Sequence, residues 1–367
     1  MVTVLGIEST AHTFGVGIVR DGVVLSNVKE TYTTESGGII PIEAAKHHAE
    51  KKDAIYLEAL EKSGLKESDV DAVAFSQGPG LAPCLLEGMK FAKELAKKFM
   101  KPLVPVNHCI AHLEIGKITG ARDPVMLYAS GANTQIIAYA SGKYRIFGET
   151  LDLGVGNFID TIARHAGMGF PGGPAIQKLA ERGRNFIELP YSVKGMDIAL
   201  AGIQTKVKQM IDSKKHNLSD IAFSLQETVF AMLVETAERA LAHTGKIELL
   251  LGGGVACNSR LQEMCKKMCA ERINKTQFFC PERALLVDNA GMIAYLGEII
   301  FNAGIKAGGG EIAKRHPLVS FELPRSTERR FPNASDEIAQ NVFYPKDFDS
   351  VDIKPRERTD EVDVCWK

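Results

Sequence analysis

Three short strands in succession are indicated by residues 2–28, which read VTVLGIESTAHTFGVGIVRDGVVLSNV. Apolar runs at residues 2–7, 16–19 and 23–28 are separated by a polar turn and by a tight turn at Asp21 and Gly22. Apolar runs of this length, joined by an Asp-Gly turn, are typical of antiparallel hairpins. This stretch therefore predicts a three-stranded meander at the start of the fold.

A second copy of the pattern starts at residue 125, where residues 125–147 read VMLYASGANTQIIAYASGKYRIF. Helical and strand patterns then alternate after each meander. After the first they are helices at 41–63 and 85–98 with strands at 72–75 and 103–106, and after the second helices at 157–166, 175–182, 218–242 and 260–272 with a strand at 247–251. The repetition predicts an α/β chain of two similar lobes with an interlobe cleft.

The predicted lobe boundaries follow the two meanders. We expect an N-terminal lobe at residues 1–124 and a C-terminal lobe at 125–300. Residues 301–367 are predicted to form a helix that returns toward the N-terminal lobe, followed by a polar tail. Beyond Leu318 the tail is polar and punctuated by proline, which predicts an extended surface segment or partial disorder.

Composition is that of a two-domain protein without a membrane segment. The 367 residues are 45% hydrophobic, enough for two cores of ordinary size. The start has no basic leader, and no apolar run reaches membrane-spanning length, so a cytoplasmic protein is expected.

The seven cysteines are an odd, scattered set, which indicates reduced thiols. Cys265 and Cys269 lack a second pair or a nearby histidine, so helix packing is favoured over a structural zinc site.

Charge gives little indication of a nucleic-acid partner. The chain has 44 basic and 45 acidic residues, without the strongly basic balance of a protein that binds RNA unaided. Any contact with RNA is therefore expected to be local or shared with partner proteins.

A candidate metal site begins with His108 and His112, which follow a predicted strand. Their four-residue spacing places both imidazoles on one helix face, as two ligands of one metal require, although solvated or core histidines fit the spacing equally well. Cys109 replaces the glutamate of the zinc-protease motif. Asp288 ends a strand-like run before a helix and is a candidate carboxylate ligand, with a helix N-cap as the alternative. Tyr128 is a candidate phenolate ligand, with a core tyrosine as the alternative.

Glycine turns that follow strands are candidate contacts for a nucleotide. They lie at residues 6–10, 130–134 and 252–258, and their backbone amides suit phosphate oxygens. The third turn is the clearest, because a strand feeds a triple glycine into a helix predicted to begin near Val255. We add the loop at residues 171–174 and Asp160, which suits ribose hydroxyls but is also consistent with an exposed helix carboxylate.

Taken together, these motifs resemble one family over nearly the whole chain, to about residue 315. The motifs stand in the family's order at residues 6–15, 37–41, 77–81, 107–108 with His112, 130–135, 170–174 and 252–258. The chain resembles the catalytic subunits of tRNA threonylcarbamoyladenosine synthase, the TsaD family, which belong to the KEOPS complex in archaea and eukaryotes. Residues 10–14 resemble the archaeal and eukaryotic branch.

The resemblance implies an actin-like fold, shared with sugar kinases and heat-shock chaperone ATPases, and a defined reaction. The threonylcarbamoyl group passes from threonylcarbamoyl-adenylate to the exocyclic amine of adenosine 37, in tRNAs that read codons beginning with adenosine. The implied partners are tRNA, the kinase-like ATPase of KEOPS, and its small dimerising and regulatory subunits. Residues 358–364 and Trp366 also resemble the family's last residues.

The resemblance also assigns ligands. One divalent transition metal, iron or zinc, would be bound by His108, His112, Tyr128 and Asp288. The adenylate, or an ATP analogue in its place, would be bound by Tyr128, Ala129, Ser130, Gly131, Ala132, Asp160, Gly173, Gln177 and Asn258, and the third glycine turn adds Gly253. Gln177 departs from the family, which often has glutamate there. No general base emerges, and no catalytic residue is assigned.

Three other functions remain open at this point. A sugar or small-metabolite kinase of the same fold would contain similar glycine turns, but it needs magnesium and has no use for paired histidines. A metallopeptidase is suggested only by the histidine spacing and disfavoured by Cys109. A noncatalytic nucleotide-binding scaffold is consistent with the same motifs.

Overall fold

The computed structural model of the protein describes residues 1–34, 38–307, 341–364 and 366. In chain order its strands and longer helices are β1 (Thr3–Glu8), β2 (Thr13–Arg20), β3 (Val23–Thr31), α1 (Pro41–Ser63), β4 (Ala72–Gly78), α2 (Ala82–Phe99), β5 (Leu103–Asn107), α3 (His108–Gly116), β6 (Val125–Ala129), β7 (Thr134–Ala140), β8 (Lys143–Glu149), α4 (Val155–His165), α5 (Gly173–Ala180), β9 (Val193–Lys194), β10 (Asp197–Ile198), α6 (Ala201–Ser213), α7 (Leu218–Thr244), β11 (Glu248–Gly252), α8 (Ser259–Glu271), β12 (Gln277–Phe279), α9 (Arg283–Leu286) and α10 (Ala290–Ala307).

The chain forms two units. The first comprises Met1–Tyr32, Ile40–Ile115 and Asn289–Lys367, and the second Thr33–Ile39 and Gly116–Asp288. These bounds differ from the predicted ranges 1–124, 125–300 and 301–367, because α10 starts at Ala290 and packs on the first sheet. The polar surface tail was predicted to run from Leu318 to the end of the chain. Residues 318–340 lie outside the described residues, and the prediction is wrong for the described part that follows, because Phe348 and Val351 are buried in the core of the first unit. The predicted cleft stays a prediction.

Both units contain a five-stranded sheet of the same topology. The strand order is β3-β2-β1-β4-β5 in the first unit and β8-β7-β6-β11-β12 in the second. In each sheet three consecutive strands form an antiparallel meander. A fourth strand pairs in parallel with the first strand of the meander, and a fifth pairs in parallel with the fourth. The predicted duplication and the two-lobed α/β class are therefore confirmed.

Equivalent turns join the second and third strands of both meanders. Asp21 and Gly22 have φ of 49° and 78°, and Ser141 and Gly142 have φ of 51° and 81°. Positive φ at both central residues defines a type I′ turn, whose twist matches that of the flanking strands. Both meanders therefore contain the same type of turn at the same position.

Helix α1 has the predicted bounds because both of its ends are encoded locally. Pro41 occupies the first helical position, where its missing N–H has no partner to lose. Gly64 ends the helix in the left-handed conformation with φ of 67°, which glycine adopts without strain.

The first sheet is covered on one face by α10, and glycines permit the approach. A Cβ atom at Gly6 would lie 2.3 Å from the backbone nitrogen of Ala294, and one at Gly17 would lie 2.6 Å from that of Gly291. Only a residue without a side chain fits at such contacts. Backbone therefore packs directly against backbone where α10 crosses β1 and β2.

The second unit has a separate core, to which α8 contributes Cys265 and Cys269. Both thiols are buried among apolar side chains, and burial raises the pKa of Cys269 to about 11. A thiol with its pKa raised in this way stays protonated and unreactive at neutral pH. Helix packing, as predicted for these two cysteines, is confirmed.

Two local predictions are wrong. The apolar run before Asp288 is the short helix α9 rather than a strand. The helix expected near Val255 is a single 3-10 turn at Gly254–Cys257, and α8 begins after it at Ser259. Both runs are too short for periodicity to distinguish helix from strand.

Within the described residues, every helix is too short or too polar to cross a lipid bilayer.

We expect Gly6→Ala to destabilise the protein by about 1 to 3 kcal/mol, because the added methyl group forces β1 and α10 apart. Gly202→Ala in α6 is the matched control, since a Cβ there meets nothing within 4 Å. Alanine at Gly202 should be neutral or stabilising by up to about 1 kcal/mol. Urea denaturation of both variants measures the difference, and equal midpoints would contradict the close packing.

Candidate metal and nucleotide sites

Both histidines of the candidate metal site lie on α3, which begins directly after β5. The side chain of Asn107 accepts a hydrogen bond from the Ile110 amide at 3.1 Å and so caps this helix. The rings of His108 and His112 are 4.8 Å apart between centroids, and the residues are only 5% and 2% exposed. Solvated histidines are therefore excluded, and the predicted shared face is confirmed.

Asp288 completes a set of three possible ligands. It is peptide-bonded to Asn289, a fully buried residue of the first unit whose side chain accepts the Met292 amide at 3.0 Å. Asn289 thus makes a cap bond at the start of α10. One potential ligand atom from each of His108, His112 and Asp288 lies within 4.8 Å of the others. Two imidazoles and a carboxylate at this spacing suit a transition metal.

Behind His108 lies the buried carboxylate of Glu8, at the end of β1. Glu8 Oε2 is 3.0 Å from His108 Nδ1, and both residues are buried. Because a carboxylate only accepts hydrogen bonds, the proton in this contact belongs to Nδ1. Nε2 is then the nitrogen with a lone pair for a metal, as in the carboxylate–histidine–metal arrangement of many metalloproteins.

Thr10 satisfies the other oxygen of this carboxylate. Glu8 Oε1 accepts the Thr10 amide at 2.7 Å and the Thr10 hydroxyl at 2.5 Å. A buried charge is tolerated only when it is fully hydrogen-bonded or paired, and these contacts meet that requirement. The arrangement fits a bound cation, because the carboxylate orients one ligand and contributes negative charge nearby.

Sequence reasoning missed Glu8 as part of this site. The available signal was a carboxylate that ends a mostly apolar strand and is followed by Ser9 and Thr10. Its role depends on His108, which lies 100 residues further along the chain.

Tyr128 lies on β6, and its side chain is fully buried. The core position that was its alternative interpretation is observed. Metal ligation by its phenolate oxygen stays a prediction.

Two glycine turns of the second unit are brought together as predicted. A Cβ atom at Gly253, whose φ is 88°, would lie 2.4 Å from the carbonyl oxygen of Ala129 and 2.9 Å from the nitrogen of Ser130. The carbonyls of Ser130 and Gly131 accept the amides of Gly156 and Asn157 at 3.0 and 2.8 Å. The turn at 130–133 is thus held against both Gly253 and the first turn of α4, with Ala132 exposed at its tip.

Asp160 and Gly173 form a second part of the candidate nucleotide site. Asp160 Oδ1 accepts the amide of Gly172 at 2.8 Å, so this half-buried carboxylate orders the loop before α5. The alternative of an exposed helix carboxylate is therefore not observed, and the contact with ribose stays a prediction. A Cβ atom on Gly173 would meet nothing within 4 Å, so open space begins at this backbone position.

Gln177 and Asn258 form a third part, where α5 approaches α8. Gln177 Nε2 donates to the Ser259 hydroxyl at 3.2 Å. Asn258 caps α8 by accepting the Arg260 amide at 2.9 Å, and it donates to Gln226 at 2.9 Å. Both side chains are partly exposed and held in place by the protein. Their contact with an adenylate stays a prediction.

Comparison with known proteins agrees with this description. A family model described as tRNA N6-adenosine threonylcarbamoyltransferase matches residues 23–295. A protein of that name from Thermococcus sibiricus is 56% identical over 302 residues, covering 82% of this chain and 93% of the relative. A probable bifunctional tRNA threonylcarbamoyladenosine biosynthesis protein from Thermoplasma volcanium is 44% identical, covering 93% of this chain and 66% of that protein.

The fold has counterparts among solved structures. The crystal structure of HypF from T. kodakarensis superimposes with a TM-score of 0.58 at 15% identity, covering 82% of this chain and 48% of HypF. At this identity the likeness concerns the fold alone, and it agrees with the predicted actin-like architecture.

We expect Glu8→Gln to weaken Zn²⁺ binding by about 10- to 100-fold, the usual cost of altering a residue that orients a metal ligand. Glutamine keeps the shape but removes the negative charge behind His108. Competition with a chromophoric chelator measures the affinity, and circular dichroism monitors folding. Glu58→Gln, at an exposed position on α1, is the control. Undiminished affinity in Glu8→Gln would exclude this role, and His108→Ala combined with His112→Ala should abolish binding.

Proposed function

The chain belongs to the tRNA N6-adenosine threonylcarbamoyltransferase family and is a transferase, and we propose that it is the catalytic subunit of a KEOPS complex. In this proposal it transfers threonylcarbamoyl from threonylcarbamoyl-adenylate to adenosine 37 of tRNAs that read codons beginning with adenosine. The observation that supports the proposal most is the set of two buried histidines, His108 and His112, with the partly buried Asp288 in a member of this family. A sugar kinase of the same fold has no use for such a set.

The proposed reaction is an acyl transfer. The exocyclic nitrogen of adenosine attacks the carbamoyl carbon, the bond from that carbon to the phosphate oxygen breaks, and AMP leaves. The attacking nitrogen loses one proton. The protein has to hold the two substrates in line and stabilise charge on the carbonyl and phosphate oxygens, which requires positioned groups rather than a covalent intermediate.

The residues of the candidate metal site would contribute to this transfer in different ways. His108, His112 and Asp288 would hold iron or zinc, with Tyr128 as a proposed fourth ligand, and the bound cation would act as a Lewis acid or substrate clamp. Glu8 fixes the proton of His108 on Nδ1 and so keeps the opposite nitrogen available. The donor set is compatible with either metal.

The second unit would bind the adenylate. Backbone amides of the turn at 130–133 suit the phosphate, and Gly253 permits close approach of the ligand to the backbone. Asp160, Gln177 and Asn258 offer oxygen and nitrogen atoms to the ribose and base. Support comes from the contacts that already order these three side chains, because an ordered group loses less entropy on binding.

The near-neutral charge of the chain favours a role for partner proteins in binding tRNA. Neutralisation of phosphates supplies much of the affinity for nucleic acid, and this chain has 44 basic against 45 acidic residues. We therefore propose that the kinase-like ATPase and the small KEOPS subunits complete the tRNA surface. Support comes from the Thermoplasma volcanium relative, whose name describes a bifunctional protein of the same biosynthesis.

Two variants test the adenylate site. We expect Asp160→Asn to weaken binding of an adenylate analogue by on the order of 1 to 3 kcal/mol, through loss of a charged acceptor for ribose, while the amide oxygen still accepts the Gly172 amide. Gly173→Ala should also weaken binding, because its methyl group enters the open space beside that loop. Calorimetry measures affinity, and unchanged thermal stability shows that the fold is intact. Equal affinity in both variants would remove these residues from the site.

The activity is tested on tRNA. We expect N6-threonylcarbamoyladenosine in nucleoside digests after incubation with tRNA, threonine, bicarbonate, ATP and an enzyme that makes the adenylate. The chain alone should give little product and bind tRNA weakly, and the KEOPS partners should raise both. Mass spectrometry of the digests and filter binding provide the measurements. Rapid multiple turnover by the isolated chain would contradict the proposed dependence on partners, and sugar-dependent ADP release without modified nucleoside would favour a kinase.

A further inference from the structure

The last described residues of the chain do not end in solvent but return to the first sheet. We call residues 342–364 together with Trp366 the C-terminal segment. Phe343 pairs with Leu103 of β5 through hydrogen bonds of 2.7 and 2.9 Å in both directions. Phe348 is fully buried and Val351 is 3% exposed, both in the core of the first unit. The segment is therefore an integral part of that unit.

Further along, backbone contacts fix the path of the segment across the ends of β4 and β5. The Lys354 amide donates to the Gln77 carbonyl at 2.8 Å, and the Gly80 amide donates to the Pro355 carbonyl at 3.1 Å. A Cβ atom at Gly78 would lie 1.9 Å from the Lys354 carbonyl oxygen, so only glycine allows this crossing. The crossing leads the segment to the start of α3.

Glu357 contacts the beginning of α3. Its Oε2 accepts a hydrogen bond of 2.8 Å from Asn107 Nδ2, and Asn107 is the residue whose other side-chain atom caps the helix at Ile110. The Glu357 side chain is only 10% exposed and is also paired with Lys354 at 2.9 Å. The orientation of the cap, directly before His108, thus depends on a carboxylate 250 residues away in sequence.

Trp366 contacts the other end of the same helix. Its indole nitrogen donates to Glu114 Oε1 at 3.2 Å, and Glu114 is 1% exposed. Between the two contacts a cavity of about 410 Å³ separates the segment from α3, with Asn107, Ile110, Leu296, Glu357 and Trp366 among its lining residues. Hydrogen bonds near the two ends of α3 therefore connect this part of the segment with the helix.

We propose that the C-terminal segment positions the metal-ligating helix, holding α3 at its first turn through Glu357 and at its last turn through Trp366. His108 and His112 lie between these two points. The inference rests on the proposed metal site, and it adds two positioning residues that contact neither the metal nor the substrate. Because coupling between two sites is reciprocal, metal binding must also favour the docked state of the segment.

Trp366 is the protein's only tryptophan, so its fluorescence reports on the segment directly. Zn²⁺, which is redox-inert, is titrated into the metal-free full chain while acrylamide quenching of the tryptophan is recorded. We expect Zn²⁺ to reduce quenching in the unaltered protein and to do so less in Glu357→Ala. Quenching that does not change with Zn²⁺ would overturn the reciprocal coupling and with it the proposal.

Zn²⁺ affinity, measured by chelator competition, provides the second measurement. We expect Glu357→Ala and Trp366→Phe each to weaken binding by about three- to tenfold, less than the 10- to 100-fold typical of residues that contact a ligand directly. Glu357→Gln, which keeps an acceptor for Asn107, should recover most of the affinity and serves if the alanine variant is unstable. Asp349→Ala, at an exposed position of the same segment, is the matched control.

The possible outcomes distinguish a failure of the positioning role from a failure of the metal site. Tight Zn²⁺ binding that is unchanged in Glu357→Ala and Trp366→Phe would overturn the positioning role and leave the metal site intact. Failure of the unaltered chain to bind Zn²⁺ would overturn the metal site and the inference together. Equal weakening in Asp349→Ala would show a general loss of stability and also overturn it.

Discussion

The contact of α10 with β1 and β2 is the constraint on which the candidate metal site depends. Gly6 and Gly17 bring the backbone of α10 against the strands, at distances that exclude any side chain. Asn289 caps α10, so the chain position immediately before it is fixed to within one peptide unit. Asp288 occupies that position. A candidate ligand from late in the sequence thus directly precedes a helix whose close packing depends on two glycines early in the sequence.

The duplicated topology presents different chemical groups at equivalent places in the two units. In the first unit the turn after the first strand contains Glu8 and Thr10, a buried carboxylate and its hydrogen-bond donor. In the second unit the equivalent turn contains Ser130 and Gly131, and the backbone nitrogen of Ser130 lies close to Gly253. One copy suits the orientation of a cation ligand, and the other suits an anion near backbone amides. The two units therefore share a strand topology but present different groups at these equivalent turns.

Local signals predicted much of the fold. Pro41 and Gly64 define α1, and the two type I′ turns define both meanders, because each signal acts within a few residues. The helix α9, the start of α8 and the helix α6 were not predicted, since short apolar runs and weak periodicity do not distinguish secondary structures. At the site, the spacing of His108 and His112 predicted one shared helix face but left core histidines open, and the resemblance to the family added their role as ligands. Glu8, Glu357 and Trp366 were missed, because each acts through a partner 100 residues or more away.

The division of the first unit into separate stretches of chain has a consequence for synthesis on the ribosome. Strands β1 to β5 emerge early, but α10, which covers Gly6 and Gly17, follows only after the residues 116–288 of the second unit. At bacterial-like elongation rates of 5–20 residues per second this interval is roughly 10 to 35 seconds. During it, the apolar face of β1 and β2 is uncovered on the nascent chain while the second unit is already being completed. The first unit therefore cannot complete its packing before nearly all of the second unit has been synthesised.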